Sequence, residues 1–457
     1  MIPSDSLIDT YNQQIPRYTS YPPANYFIPQ SKKTFLQEIE RSNSAKPDNI
    51  SIYIHIPFCS QQCWYCGCNS SVCVQTDIVE SYLNSLHTEI ESVISLLDSS
   101  RKISQIHFGG GTPSLLNIVQ IEEILLLFSK KFSFTDSAEI AIECNPADLS
   151  FDYISQLIQL GITRISMGIQ DFDQTILTAV NRKPPHIPIS ELQKHIQSLG
   201  AQVNFDFMYG LPYQTRDSFT TTIQKAITLR PDRLVTFSYA HLPSIKKHQQ
   251  KIDGLPMARG KEKIQMLYDA YHSLTNAGYT AIGLDHFALP DDTLSKAVTI
   301  GDLHRNFQGY CSTEQTGQVY AFGASAITQL SHSFFQNTRN YKDYISGINT
   351  QKSAVESGYI LSEDEQLTSS VIESILCNQI VNWEHIAHSH NRTLSSTKAF
   401  FKFAENSISQ LISDNLLEET TGGYRVCEQG KFFLRNIAAA FDPNMYNQNT
   451  KTFSRSI

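Results

Sequence analysis

The chain has 457 residues, 41% hydrophobic and 18% charged, with a net charge of −8, which reads as soluble and globular with one large domain and a smaller one. That acidity argues against general binding to nucleic acid or anionic membrane, although an average conceals any local basic pocket. The opening MIPSDSLIDTYNQQIPRYTSYPP has no charged n-region and no apolar h-region, and no apolar run reaches the roughly 18 residues of a bilayer span, so a cytoplasmic location is expected.

Residues 1–49 include RYTSYPPANYF (17–27), too rich in proline for a helix, and read as an N-terminal arm. SIYIHIP (51–57) is the first β-type run, and behind it Cys59, Cys63, Cys66 and Cys68 crowd into ten residues. A cytosolic chain of this size rarely uses disulfides, so the cluster reads as metal-binding or redox-active. Cys73 is taken as incidental, and Cys144, Cys311, Cys377 and Cys427 as small buried hydrophobes.

Further β-type runs follow at SQIHFG (104–109), AEIAIEC (138–144), TRISMGI (163–169), VNFDFMY (203–209) and RLVTFSYA (233–240), separated by helical patterns. Six strands alternating with helices predict an α/β fold with a parallel sheet, open or closed as a partial barrel, over residues 50–330. Each run is nearly continuously apolar, as strands covered on both faces are. In (β/α) barrels chemistry collects at the carboxyl ends of strands. There the chain places the cysteine loop, GGGTP (109–113), Glu143, Gln170, Asp206, and then Tyr239, Ala240 and His241.

Residues 331–457 alternate helical stretches with a hairpin signal, LLEETTGGYRVCEQG, and read as a mainly helical, winged-helix-like domain. Its recognition-type stretch, STKAFFKFAENSISQLISDNLLEE, is not notably basic, so a lid over the barrel mouth is favoured over DNA binding.

The thiol spacing narrows the chemistry. Cys59, Cys63 and Cys66 form C-x3-C-x2-C, whereas a four-cysteine zinc site draws on two separated knuckles. Three thiolates on one loop suit an iron–sulfur cube with one iron left open for substrate or cofactor.

YIHIPFCSQQCWYCGC resembles the radical S-adenosylmethionine (SAM) family. Within it, RYTSYP, CGCN, SMGIQDF, DFMYGLPYQT, YAHLP, GLDHFALPDD, LHRNFQGY and FGASAI resemble the oxygen-independent coproporphyrinogen III oxidase branch, across nearly the whole chain. The resemblance implies that Cys59, Cys63 and Cys66 ligate one [4Fe–4S] cluster whose fourth iron is chelated by SAM. One electron then cleaves the sulfonium to methionine and a 5′-deoxyadenosyl radical, which takes hydrogen from a propionate β-carbon of coproporphyrinogen III. Loss of CO2 and one electron leaves a vinyl group, and two such events give protoporphyrinogen IX. The branch holds two SAM molecules; the electron donor and acceptor stay unidentified, and a monomer is expected.

Residue by residue, the resemblance implies Tyr53, Gly110, Glu143, Ala240 and Ile327 around the cluster-bound SAM. It implies Tyr65, Gly67, Gly111, Thr112, Gln170, Arg182 and Asp206 around the second. Glycines admit close backbone approach, carboxylates accept from ammonium or ribose hydroxyls, and arginine grips carboxylate. Each has a plainer reading: Gln170 as a helix cap, Arg182 as a cation complementing a helix dipole, Tyr53 and Tyr65 as core aromatics. Asp206 favours function more, since an unpaired carboxylate in an apolar strand is costly. Cys68 would crowd the cube as a fourth ligand, so it reads as a catalytic candidate in the active-site loop or a small packed side chain. Arg17 is a candidate propionate partner, with a surface arginine as the default reading, and His304, Arg305, Asp285 and His286 are either substrate contacts or an interior network.

Two rivals stand beside the decarboxylase: a haem-binding chaperone-like relative and a haem-modifying radical enzyme. Gly67-Cys68, the RYTSYP arm and HRNFQGY favour the enzyme, while ECNP (143–146) followed by Ala147 departs toward the chaperone-like pattern.

Overall fold

A computed structural model describes residues 2–446 and 453–456 of the chain. Six parallel strands stand side by side in chain order: β1 (Ile50–Ile56), β2 (Lys102–Gly110), β3 (Ser133–Cys144), β4 (Arg164–Gln170), β5 (Gln202–Tyr209) and β6 (Arg233–Ser238). Helices α1 (Thr76–Ile94), α2 (Ile118–Ser129), α3 (Phe151–Gln159), α4 (Ile189–Ser198) and α5 (Arg216–Leu229) fall between successive strands. Caps define several helix starts: Asn117, Ser150 and Thr215 each accept a hydrogen bond from a backbone N–H in the first turn, contributing about 1 kcal/mol apiece.

The strands are not uniformly apolar. Side chains alternate across a sheet, and one set, including Ile52, Ile54, Ile106, Phe108, Ile142, Ile165, Met167, Val203 and Phe205, is buried in the main core with Leu86, Ile90, Ile124, Phe128, Leu157, Leu192 and Ile223 of the helices. Each such side chain contributes about 1.5–3 kcal/mol. The other set is polar: Gln105, His107, Glu143, Arg164, Ser166, Asn204, Asp206 and Arg233 line an inner cavity of about 90 Å³. At its base Glu139 accepts from Arg164 at 2.6 Å and Arg233 at 3.0 Å, and Arg233 also bonds Asp292 at 2.7 Å. Burial raises the Glu139 carboxyl, but the two guanidiniums outweigh it and hold it well below the usual range. Losing one member of such a set strands a buried charge and costs about 3–5 kcal/mol.

The sheet runs to thirteen strands in linear order, so the barrel is open. Beside β1 lies β7 (Gln318–Phe322), parallel to it, followed by antiparallel β8 (Ile327–Gln329), β9 (Ser333–Asn337) and β10 (Val355–Ile360). Pairing therefore continues past residue 330, where the sequence reading ended the core, and we start the helical unit at Glu363 instead. That unit orders a helix, a short strand, further helices and the hairpin Leu417–Thr420/Gly423–Val426. It has its own core, which takes in Ile8, Tyr11, Tyr18 and Tyr21 of the arm. Tyr18 donates to Asp442 at 3.0 Å, and Arg435 donates to the carbonyls of Ile15 (2.6 Å) and Pro16 (3.0 Å). Both ends of the chain thus meet on one wall above β5 and β6.

Candidate active site

The loop after β1 carries the three-cysteine spacing, and its neighbours fix it on every side. Thr112 donates to the Cys59 sulfur at 3.4 Å, and Arg182 to the Cys63 sulfur at 3.6 Å. Asn181 bonds the Gln62 carbonyl at 2.8 Å. From across the mouth, His248 contacts the Cys66 carbonyl at 2.8 Å, Lys246 donates to that of Cys68 at 3.0 Å, and Gln249 to that of Tyr65 at 3.1 Å. The Cys68 thiol donates to Cys66, and chiefly for that reason the Cys66 thiol is pushed down to about 6 while Cys68 is pushed well up.

Glycines on β2 and its loop shape the floor. Gly110 has φ +116°, and a Cβ there would meet the His55 ring at 2.7 Å; one at Gly111 would meet the Phe58 carbonyl at 2.7 Å. Glu143 enters beside them, accepting from the Gly110 N–H at 3.3 Å and contacting His107 Nε2 at 2.9 Å. Burial pushes its carboxyl up, but His107 and Gly110 together hold it below the ordinary value. Tyr53 stacks on His107 at 5.9 Å and shares a hydrogen bond of 3.1 Å with His55 Nδ1. Asp206 accepts from Asn204 at 2.8 Å, and burial, with Glu143 nearby, pushes it up to about 6. Gln170 takes φ 67° at the end of β4, and Gln170 and Arg182 converge over Gly168, where a Cβ would lie 2.8 and 3.0 Å from their nitrogens. Arg182 also donates to the Gly168 carbonyl at 2.6 Å.

The sequence-derived residues thus gather at one end of the sheet. Ala240 joins them through its carbonyl, which accepts from Gln249 at 3.3 Å, and Ile327 lies on β8, the strand beyond Ala321, which pairs with Tyr53. No side chain comes within 4 Å of a Cβ built on Gly67, so its contribution is open space. His55, His107, Asn204 and Gly168 went unnoticed in the sequence. The two-residue alternation of polar side chains within β1, β2 and β5 is the signal that finds the first three; Gly168, on β4, carries no such signal.

A cavity of about 890 Å³ opens beside this site, lined by Tyr209, Ser238, Tyr239, Ala240 and His241 of the core and by both ends of the chain. Arg17, Arg259, Lys263, Arg305, Lys431, Arg435 and Arg455 face it, with Asp285 as its carboxylate. Burial, then repulsion from Arg17 and its neighbours, pushes Lys263 down to about 8 and Arg435 to about 9. Arg435 spends its donors on backbone carbonyls of Ile15, Pro16, Arg455 and Ser456. Among the described residues the Arg17 guanidinium has no hydrogen bond or ion pair. His304, half-buried, pairs with Glu373, whereas Arg305 and Asp285 face the cavity and His286, bonded to Asp285 at 2.7 Å, faces the inner one.

Three thiols on one rigid loop, one sheet and the adjoining cationic cavity define a radical SAM protein, and residues 53–226 match the radical SAM superfamily. Curated relatives match this chain over nearly their whole length. The oxygen-independent coproporphyrinogen III oxidase of Synechocystis is 35% identical over 99% of this chain and 98% of its own, and that of Escherichia coli 36% over 99% and 98%. The solved structure of the Escherichia coli coproporphyrinogen III oxidase, a radical SAM enzyme, superposes with a TM-score of 0.87 over 94% of this chain and 100% of that one. The chain belongs to the oxygen-independent coproporphyrinogen III oxidase family.

The donor set fits the cofactors the family implies. Among the described residues no three His, Cys, Asp or Glu side chains converge as ligands of a single ion would; a cube instead takes one thiolate at each of three corners. Asn204 Oδ1 beside Asp206 and Gln105 Oε1 beside Glu139 are buried without partners, a polar lining that a ligand or water completes. Among the described residues no helix is long and apolar enough to cross a membrane.

Proposed function

We propose that this chain converts coproporphyrinogen III to protoporphyrinogen IX without oxygen. The observation that carries the reading is the union of the two sites at Ala240: its carbonyl is tied through Gln249 to the cysteine loop, and the same residue lines the cation-walled cavity. A flat tetrapyrrole with four propionates needs both apolar faces and several cationic donors, and Phe237, Phe432 and Phe453 supply aromatic surface in that cavity.

Cys59, Cys63 and Cys66 would hold the [4Fe–4S] cluster, with Thr112 and Arg182 donating to two of the sulfurs. When bound, cluster and SAM supply one-electron chemistry able to remove hydrogen from an unactivated C–H bond. Tyr53, Gly110, Glu143, Ala240 and Ile327 would surround the SAM on the cluster. Tyr65, Gly67, Gly111, Thr112, Gln170, Arg182 and Asp206 would surround a second SAM, which supports one radical event per propionate. Glu143 is held ionised and so suits an ammonium or ribose hydroxyl. Cys68, donating to Cys66 at the rim of the loop, is the residue we assign nearest the reacting carbon. Arg17, Lys263 and Arg305 orient the propionates, and the arm with the C-terminal unit walls the cavity from bulk water. Each propionate then loses one hydrogen atom, CO2 and one electron to become a vinyl group.

Anaerobic reconstitution followed by mass spectrometry tests this. Loss of two CO2 per coproporphyrinogen with matching 5′-deoxyadenosine is expected; an unchanged macrocycle beside stably bound or ring-modified haem overturns it.

A further inference from the structure

The chemistry needs electrons delivered one at a time, and the segment that reaches the cysteine loop from across the mouth carries a feature that the substrate site leaves unused. The segment 244–251, SIKKHQQK, touches the loop through Lys246, His248 and Gln249. Its remaining cations, Lys247 and Lys251, are exposed, and Ile245 beside them is 71% exposed. Two further stretches bonded to the same loop add to it. Asn181, bonded to Gln62, is followed by exposed Lys183; the Arg339 carbonyl accepts from Asn69 at 2.8 Å, and exposed Lys342 lies just beyond. Val72 and Val74, at the end of the loop, are 53% and 68% exposed.

Around the ligand loop, therefore, Lys183, Lys246, Lys247, Lys251, Arg339 and Lys342 stand against Asp77, Glu80, Asp253 and Asp343, and Asp253 is occupied by His241 at 2.7 Å. Among the described residues none of the six cations is in an ion pair. A basic collar with exposed aliphatic side chains is out of keeping with a chain of net charge −8, and such contrast steers an oppositely charged partner. Exposed apolar groups rimmed by charge mark a protein contact.

We propose that this collar docks a small acidic protein that carries one electron. The inference rests on the reading that Cys59, Cys63 and Cys66 hold the cluster. The step is a single-electron transfer: the carrier is oxidised by one, the cluster reduced by one, and no proton moves. Lys246 and His248 give a hydrogen-bonded path from the docked surface to the backbone carbonyls of Cys68 and Cys66.

The test uses the reconstituted full chain, with a reduced acidic plant-type ferredoxin as probe and dithionite as a small-molecule control. The readouts are stopped-flow reduction of the cluster and ferredoxin binding by calorimetry, each across ionic strength. The triple variant Lys183→Glu, Lys247→Glu, Lys251→Glu should reduce at least tenfold more slowly with ferredoxin, bind it correspondingly less, and lose the salt dependence. Iron content and the dithionite rate should stay at wild-type values. Unchanged ferredoxin kinetics and salt dependence in that variant overturn the proposal. Should iron or the dithionite rate fall as well, the single variants Lys183→Glu and Lys247→Glu decide: a selective, salt-dependent loss with ferredoxin supports docking, and indifference overturns it. Wild-type chain without four irons would instead overturn the cluster reading, and ferredoxin binding by the same chain is then read separately.

Discussion

The cysteine loop and the cationic cavity adjoin, yet they are built in opposite ways. The loop sets its three candidate ligands, Cys59, Cys63 and Cys66, within eight consecutive positions after one strand, and its neighbours reach it mostly through backbone carbonyls. The cavity is assembled from the arm, the ends of β5 and β6, two post-barrel segments and the C-terminal unit, short runs that lie far from one another in the chain. A site made by one loop tolerates no change of identity but little else matters locally. A site made by remote segments depends on how those segments are held together.

The strongest way to break that contrast is at a ligand. Cys63→Ala should lose cluster iron and reduce SAM cleavage by several orders of magnitude while the fold persists, as read by iron assay, 5′-deoxyadenosine release and circular dichroism. On the cavity side, Arg17→Ala removes a guanidinium free to grip a propionate; losing such a charged hydrogen bond is worth about 1.5–3 kcal/mol. KM for coproporphyrinogen should rise about 10–100-fold while iron and the KM for SAM hold. Arg435→Ala should behave differently, since its donors bind the chain ends together: thermal stability should fall as the arm loosens, with loss of substrate affinity secondary. Equal effects of these two variants on KM alone would erase the distinction. Cys68→Ser should leave iron unchanged and lower turnover by about tenfold; full activity assigns Cys68 to packing.

The smallest effect is one of pH. Burial and the nearby guanidiniums lower Lys263 to about 8 in the free cavity, so its charge is present below that value and lost as pH rises through it. Bound carboxylates favour the charged form, and propionate affinity should therefore fall severalfold between about pH 7 and 9. A KM profile compared with that of Lys263→Arg, which keeps its charge throughout, checks the sign.

The same contrast explains what was legible beforehand. The βα alternation, the three-cysteine spacing and the residues at strand ends are local patterns, and they were readable because each needs only a few consecutive residues. The polar inner face of the strands was hidden by counting Tyr53, His55 and His107 into apolar runs, when their two-residue spacing places them all inward. Arg259, Lys263, Arg435 and Arg455 gave no local signal, and only tertiary packing turns them toward one cavity. The continuation of the sheet past residue 330 gave no such signal, since β9 and β10 join it by antiparallel pairing across the edge rather than by another βα step.

The mutual repulsion among Arg17, Lys263, Arg305 and Arg435 has a practical corollary at the bench. Positive groups held this close gain from almost any compact polyanion, whatever its skeleton. Citrate or pyrophosphate in an assay buffer should act as a competitive inhibitor and raise the melting temperature, so kinetic constants from such buffers would understate affinity for the tetrapyrrole.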